Sequence, residues 1–115
     1  MKTASRKAKG RKLQNDVRQK LLDKFPDLEQ DDIRTAVMGE SGEDIKLSPA
    51  AQKLIPLSFE CKNQEAISIW ACLAQAEENC NGRIPVLVFK RNRSKTYITL
   101  EFESFLNIIG DKIDT

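Results

Sequence analysis

The chain predicts a mixed α/β sheet of about five strands flanked by helices, in the order α-β-β-β-α-β-β-α. Three observations in its 115 residues predict it: an apolar residue at every fourth position near the N-terminus, a charged but strand-like run at 56–62, and a continuous apolar run at 85–89 followed by a polar turn. A period near four marks a helix, alternation marks a strand with one covered face, and an unbroken short apolar run marks a central parallel strand.

Residues 1–9 show no apolar period and read as a disordered basic arm, with one domain over 10–115. From Arg11 to Phe25, Leu13, Val17, Leu21 and Phe25 line one helix face, and Pro26 stops the helix. Gln14 falls on the inner edge of that face, while Asp16, roughly 200° further round, points outward. Ile33, Thr35 and Val37 alternate with Arg34, Ala36 and Met38 as a short strand. Gly39 and Gly42 punctuate a turn into a second strand, Glu43 to Leu47, in which Asp44 and Lys46 share a face. Ser48 and Pro49 open a short helical turn.

The run Pro56 to Lys62 follows, with Ser58, Glu60 and Lys62 on one face and Leu57, Phe59 and Cys61 on the other. Asn63 caps an expected helix over 64–79, with Ile67, Trp70, Ala71 and Ala74 inward and Ile69, Leu73 and Ala76 widening the stripe. Trp70 is thereby expected in the core. Pro85 to Phe89 forms the next strand, reached by a right-handed crossover. Arg91 to Lys95 turns into the antiparallel strand 97–102, and Phe105, Leu106, Ile108 and Ile109 make a last short helix.

Composition narrows the chemistry. Apolar residues make up 40% and charged residues 31%, a globular balance. No apolar run is long enough to span a membrane and no secretory leader is visible, so a soluble, intracellular protein is expected. Cys61, Cys72 and Cys80 form no C-x-x-C pair, and the chain has no histidine. Structural zinc, a disulfide framework and histidine-based acid–base or nucleophilic schemes are therefore disfavoured or excluded. Nine lysines and arginines stand against two aspartates in residues 1–24, a local charge of +7 in a chain of net charge +2. That asymmetry suits a polyanion.

An acid and a lysine two residues apart at the end of a buried strand must be paired, metal-bound or in use. With Asp44 on the neighbouring strand, the set offers two carboxylates and an ammonium. Oxygen ligands of this kind suit Mg²⁺, with the Cys61 backbone carbonyl as a third protein ligand and Lys62 facing the attacking water or the charge developing on phosphorus.

Asp44 followed by Glu60-Cys61-Lys62, between a basic helix and a second helix, resembles the PD-(D/E)XK nuclease superfamily. Lys9-Gly10-Arg11-Lys12, the Gly42-Glu43-Asp44-Ile45 turn and the small size are most similar to archaeal-type Holliday junction resolvases and their phage relatives, over roughly residues 9–102. The resemblance implies a restriction-endonuclease-like sheet and Mg²⁺- or Mn²⁺-dependent phosphodiester hydrolysis, with Asp44 and Glu60 as ligands and Lys62 essential. It also implies a glutamate four residues after the helix glycine, where this chain has Gln14, whose amide can hold a metal-bound water but supplies no charge. Ser41 corresponds to a serine near the scissile phosphate. Lys9, Arg11, Lys12, Arg91, Arg93 and Lys95 are the expected DNA contacts, and the expected partners are branched or duplex DNA and a second subunit, with no membrane and no small-molecule substrate. A homing or nicking endonuclease of the same fold, or a DNA-binding module that has lost cleavage, are the alternatives.

Overall fold

The computed structural model describes residues 2–113. The first helix, α1 (Lys2–Lys24), lies against a hairpin of β1 (Ile33–Thr35) and β2 (Ile45–Leu47). After a short helix, α2 (Pro49–Leu54), come β3 (Leu57–Asn63), α3 (Ile69–Glu78), β4 (Ile84–Lys90), β5 (Tyr97–Leu100) and α4 (Phe102–Ile113). Strands β1 and β2 pair antiparallel, β3 and β4 parallel, and β4 and β5 antiparallel.

The helix-period residues behave as their spacing dictates. Leu13 and Val17 meet Ile33 and Ile45 from the hairpin and Phe59, Cys61, Val86 and Val88 from the larger sheet in one core. Each such side chain contributes about 1.5–3 kcal/mol by leaving water, before the entropy of ordering is charged. The Arg18 guanidinium ties α1 to the hairpin by donating to the Ile33 carbonyl and, at 2.7 Å, to that of Gln30. Ser48 caps α2, accepting the Ala51 N–H at 3.1 Å while donating to Asp32 at 2.7 Å, with Pro49 in the first helical position.

Several expectations change. The five strands form two sheets of two and three rather than one, and the sheets meet where the Asp44 N–H donates to the Phe59 carbonyl at 3.1 Å. Residues 2–9, expected as a disordered arm, extend α1, because lysine, arginine and alanine propagate a helix already docked at Leu13 and Val17; Met1 lies outside the described residues. β1 ends at Thr35 because the Val37 N–H is taken by the Glu40 carboxylate at 3.0 Å.

Helix α3, expected from Gln64, begins at Ile69, since the Gln64 N–H still bonds the Lys90 carbonyl at 3.1 Å and Asn63 closes β3. Its buried residues are Cys72 and Ala76, so Trp70, two positions before Cys72 and about 200° round the helix, is 84% exposed and not in the core. The last helix is longer than expected and runs through Gly110. Among the described residues no helix is long and apolar enough to cross a membrane.

Candidate active site

The acid site forms where the two sheets meet. Asp44 stands immediately before β2, and its Oδ2 accepts the Cys61 N–H at 2.8 Å, so its side chain adds a second bond to β3 beside the one its N–H makes to the Phe59 carbonyl. Phe59 and Cys61 thus turn their backbone groups towards β2. N–H and C=O of one strand residue point to the same side, so the Cys61 carbonyl faces that edge too.

Glu60 lies on the opposite face from Phe59 and Cys61 and is 3% exposed. Its Oε2 is 3.7 Å from the Lys62 ammonium, and its Oε1 has no hydrogen-bond partner. Burial first, and then the neighbouring Asp44 charge, push the Glu60 carboxyl up to about 7, against the pull of Lys62 and the nearby Asn79 amide. Burial also raises Asp44, offset by the Cys61 N–H and by Lys62 and Lys46. The Cys61 thiol is raised by burial and by both acids, which keeps it a thiol. A solvated surface ion pair would show none of this: a dry carboxylate with an unpaired oxygen is costly unless something else meets it.

Gln14 is half-buried on α1 and lines a groove of about 320 Å³ with Asp44, Lys7 and Arg11. Glu60 and Lys62 do not line that groove, so the structure brings Gln14 to Asp44 and not to the whole set. Asp16 faces solvent. Lys9 and Asn63 join α1 to the end of β3 through a 3.3 Å bond from the Asn63 amide to the Lys9 carbonyl, while Lys12 is exposed. Ser41 is exposed, and its carbonyl accepts the Lys46 ammonium at 2.6 Å. Arg91, Arg93 and Lys95 are exposed on the β4–β5 turn.

Sequence reasoning missed a buried cluster beside Asp44. Glu43 accepts the Ser58 hydroxyl at 2.6 Å and pairs with Arg83, which also donates to the Leu57 carbonyl at 3.3 Å. This cluster ties the turn that carries Asp44 to the start of β3. Gly42 in that turn has φ +92°, a conformation that favours glycine. Glu43 is adjacent to Asp44 in sequence, but Arg83 is 40 residues away and has no local signal. Asn79, the C-cap of α3, is likewise placed near Glu60 only by the fold.

An α/β nuclease-like fold with an Asp and a Glu-x-Lys at the junction of its sheets defines a class, the PD-(D/E)XK nucleases. Residues 5–115 match the family model described as "Phage putative PDDEXK endonuclease", and the chain belongs to that family. No match was found among the curated proteins or among the solved structures. PD-(D/E)XK nucleases generally use divalent metals. Among the described residues no group of three or more Cys, Asp or Glu side chains is placed to hold a metal. Two carboxylates with an orphaned buried oxygen fit an oxygen-preferring cation that keeps water for its other positions, and do not fit a closed structural zinc site.

Proposed function

We propose that the chain is a Mg²⁺- or Mn²⁺-dependent DNA endonuclease, with Asp44, Glu60 and the Cys61 carbonyl as metal ligands and Lys62 as the catalytic ammonium. The observation that carries this reading is Glu60: almost fully buried, with one oxygen unpartnered, and beside both Asp44 and Lys62. A divalent ion there supplies Lewis-acid polarisation of a phosphodiester and a water of lowered pKa.

The chain's own residues do the rest. Asp44 is oriented by the Cys61 N–H, and Lys62, a quarter exposed, can donate to a phosphoryl oxygen or to the attacking water. Gln14, in the groove with Asp44, offers an amide to a water and not a charge. Lys9, Arg11, Lys12, Arg91, Arg93 and Lys95 contact the phosphate backbone and Ser41 lies near the scissile phosphate.

The substrate we favour is a four-way DNA junction, cut by a homodimer in the cytoplasm of the cell where phage DNA is processed. Two symmetric cuts need two sites and one subunit carries one. The test is a panel of labelled junction, flap, single-stranded and duplex DNAs with Mg²⁺ or Mn²⁺, beside Lys62→Ala. The expected result is junction cleavage well above linear duplex, abolished in Lys62→Ala. Cleavage of one long duplex site would make it a homing-type enzyme. Tight, salt-sensitive binding without cutting under either metal would overturn the nuclease assignment and leave a binding module, the alternative that Gln14 in place of a glutamate motivates.

A further inference from the structure

We propose that the cavity beside Lys62 binds an unpaired nucleotide adjoining the scissile phosphate; this rests on the nuclease reading of β3 and adds a substrate class to it. The register sets Lys62 opposite Phe89 and Phe89 opposite Tyr97. Directly paired strand residues share a face, so the three side chains form one row across the larger sheet, on the face away from Phe59, Cys61, Val86 and Val88.

At the far end of that row is a cavity of about 360 Å³, which Lys62 does not line itself and reaches through its paired neighbour Phe89. Phe89 and Tyr97 line it, their ring centroids 6.1 Å apart at 34°, together with Ile69, Lys90 and Arg91. Tyr97 is 55% exposed, so an aromatic side chain is partly open to solvent in a cavity that two cations also line.

Aromatic stacking with adjacent cationic contacts is how proteins hold unpaired bases. A base inside a duplex has both faces covered by its neighbours and cannot enter. Gln64 also lines the cavity and offers both a donor and an acceptor to a base edge. Glu65 lines the cavity as well, and its carboxylate accepts the Asn92 N–H at 2.6 Å.

The turn that brings Arg91 and Ser94 to the cavity is closed on itself: the Ser94 hydroxyl accepts the Arg91 N–H at 3.0 Å, and the Ser94 N–H returns to the Arg91 carbonyl at 3.2 Å. Lys62 and Tyr97 are two strand spacings apart, roughly 10 Å, a short step along a nucleic-acid strand.

The test uses the full chain carrying Lys62→Ala, without added metal, so that no cleavage occurs. An oligonucleotide with 5-iodouracil at an unpaired position is cross-linked by light and the adduct mapped, and affinities for matched paired and unpaired DNAs are compared with and without Tyr97→Ala. The expected result is an adduct within residues 89–97, and a loss of affinity for the unpaired DNA at least fivefold greater than for the duplex; Tyr97→Phe, which keeps the ring, retains the preference. An adduct elsewhere, or equal losses on both DNAs, overturns the proposal. Absence of cutting by the unsubstituted protein would instead count against the nuclease reading, and the cross-link is independent of it.

Discussion

Glu60 concentrates the chemistry of the site in one carboxyl group. Its pKa of about 7 exceeds the ordinary 4.5 because burial penalises the charged form. The folded protein therefore holds this proton more tightly than the unfolded chain does. The sign follows from linkage: without metal, the contribution is fully present below about 4.5 and is lost as pH rises through about 7, by up to about 3 kcal/mol. Glu40 acts oppositely. The Arg34 hydrogen bond holds it at about 2, so its contribution is present above the ordinary carboxylate range and lost only as pH falls towards 2. A window from about pH 5 to 8 lies clear of Glu40 and reads the buried acids, Glu60 with the likewise raised Asp44 beside it. In a chelator, the urea midpoint of the unsubstituted protein should fall across that window, and Glu60→Gln, with a neutral amide, should flatten the dependence. An equally steep fall in Glu60→Gln would assign it elsewhere. Divalent-metal affinity should rise over the same window, because ligand and proton compete for one carboxylate.

Among the described residues, α4 leaves a run of apolar side chains partly uncovered. Phe102 is 69% exposed, and Phe105, Leu106 and Ile109 are each more than a third exposed. It follows directly on β5, the outer strand of the larger sheet, where Ile98 is half exposed as well. An open strand edge is self-complementary, since two antiparallel copies satisfy each other's backbone groups about a two-fold axis. A second copy, as in the homodimer proposed above, would satisfy such an edge and cover these side chains. If that homodimer forms through α4, the unsubstituted protein should sediment as a dimer and Leu106→Asp as a monomer without loss of helical circular dichroism; a monomeric unsubstituted protein, or an unchanged mass in the variant, would remove α4 from any interface.

The same elements show what was legible in the chain. Strand order, the helix-period core at Leu13 and Val17, and the Asp44 and Glu60-x-Lys62 pattern could be read because alternation and four-residue spacing are local. The start of α3 could not. Gln64 has ordinary helix propensity, but its N–H is claimed by Lys90, 26 residues away, and this tertiary bond moves the helix start and puts Trp70 outside. Arg83 beside Glu43 and Asn79 beside Glu60 are hidden for the same reason: no local period links positions that only the folded sheet brings together.

Across the whole molecule, a net charge of +2 is too small to account for polyanion binding, so position must. The Asn63 amide joins the Lys9 carbonyl of α1 to the end of β3, and the Gln64 N–H joins that end to Lys90 of β4. The basic first half of α1 and the β4–β5 turn are thus brought to the same end of the larger sheet, the end at which Lys62 sits. Lys24 is also on α1, but at 1.5 Å per residue it lies roughly 20 Å along the helix from Lys9. Each phosphate neutralised releases a counterion and steepens the fall of log K with log salt by about 0.9. If one end of the sheet carries the DNA, Arg11→Ala and Arg93→Ala should each reduce that slope by about 1, on any duplex sequence, while Lys24→Ala leaves it in place. Anisotropy of a labelled duplex between 50 and 200 mM KCl (about the range in which such slopes are resolved) with chelator present measures all three. A Lys24→Ala effect equal to that of the arginines would mean that the whole length of α1 lies on the DNA, and that the end bearing Lys62 has no privileged place in binding.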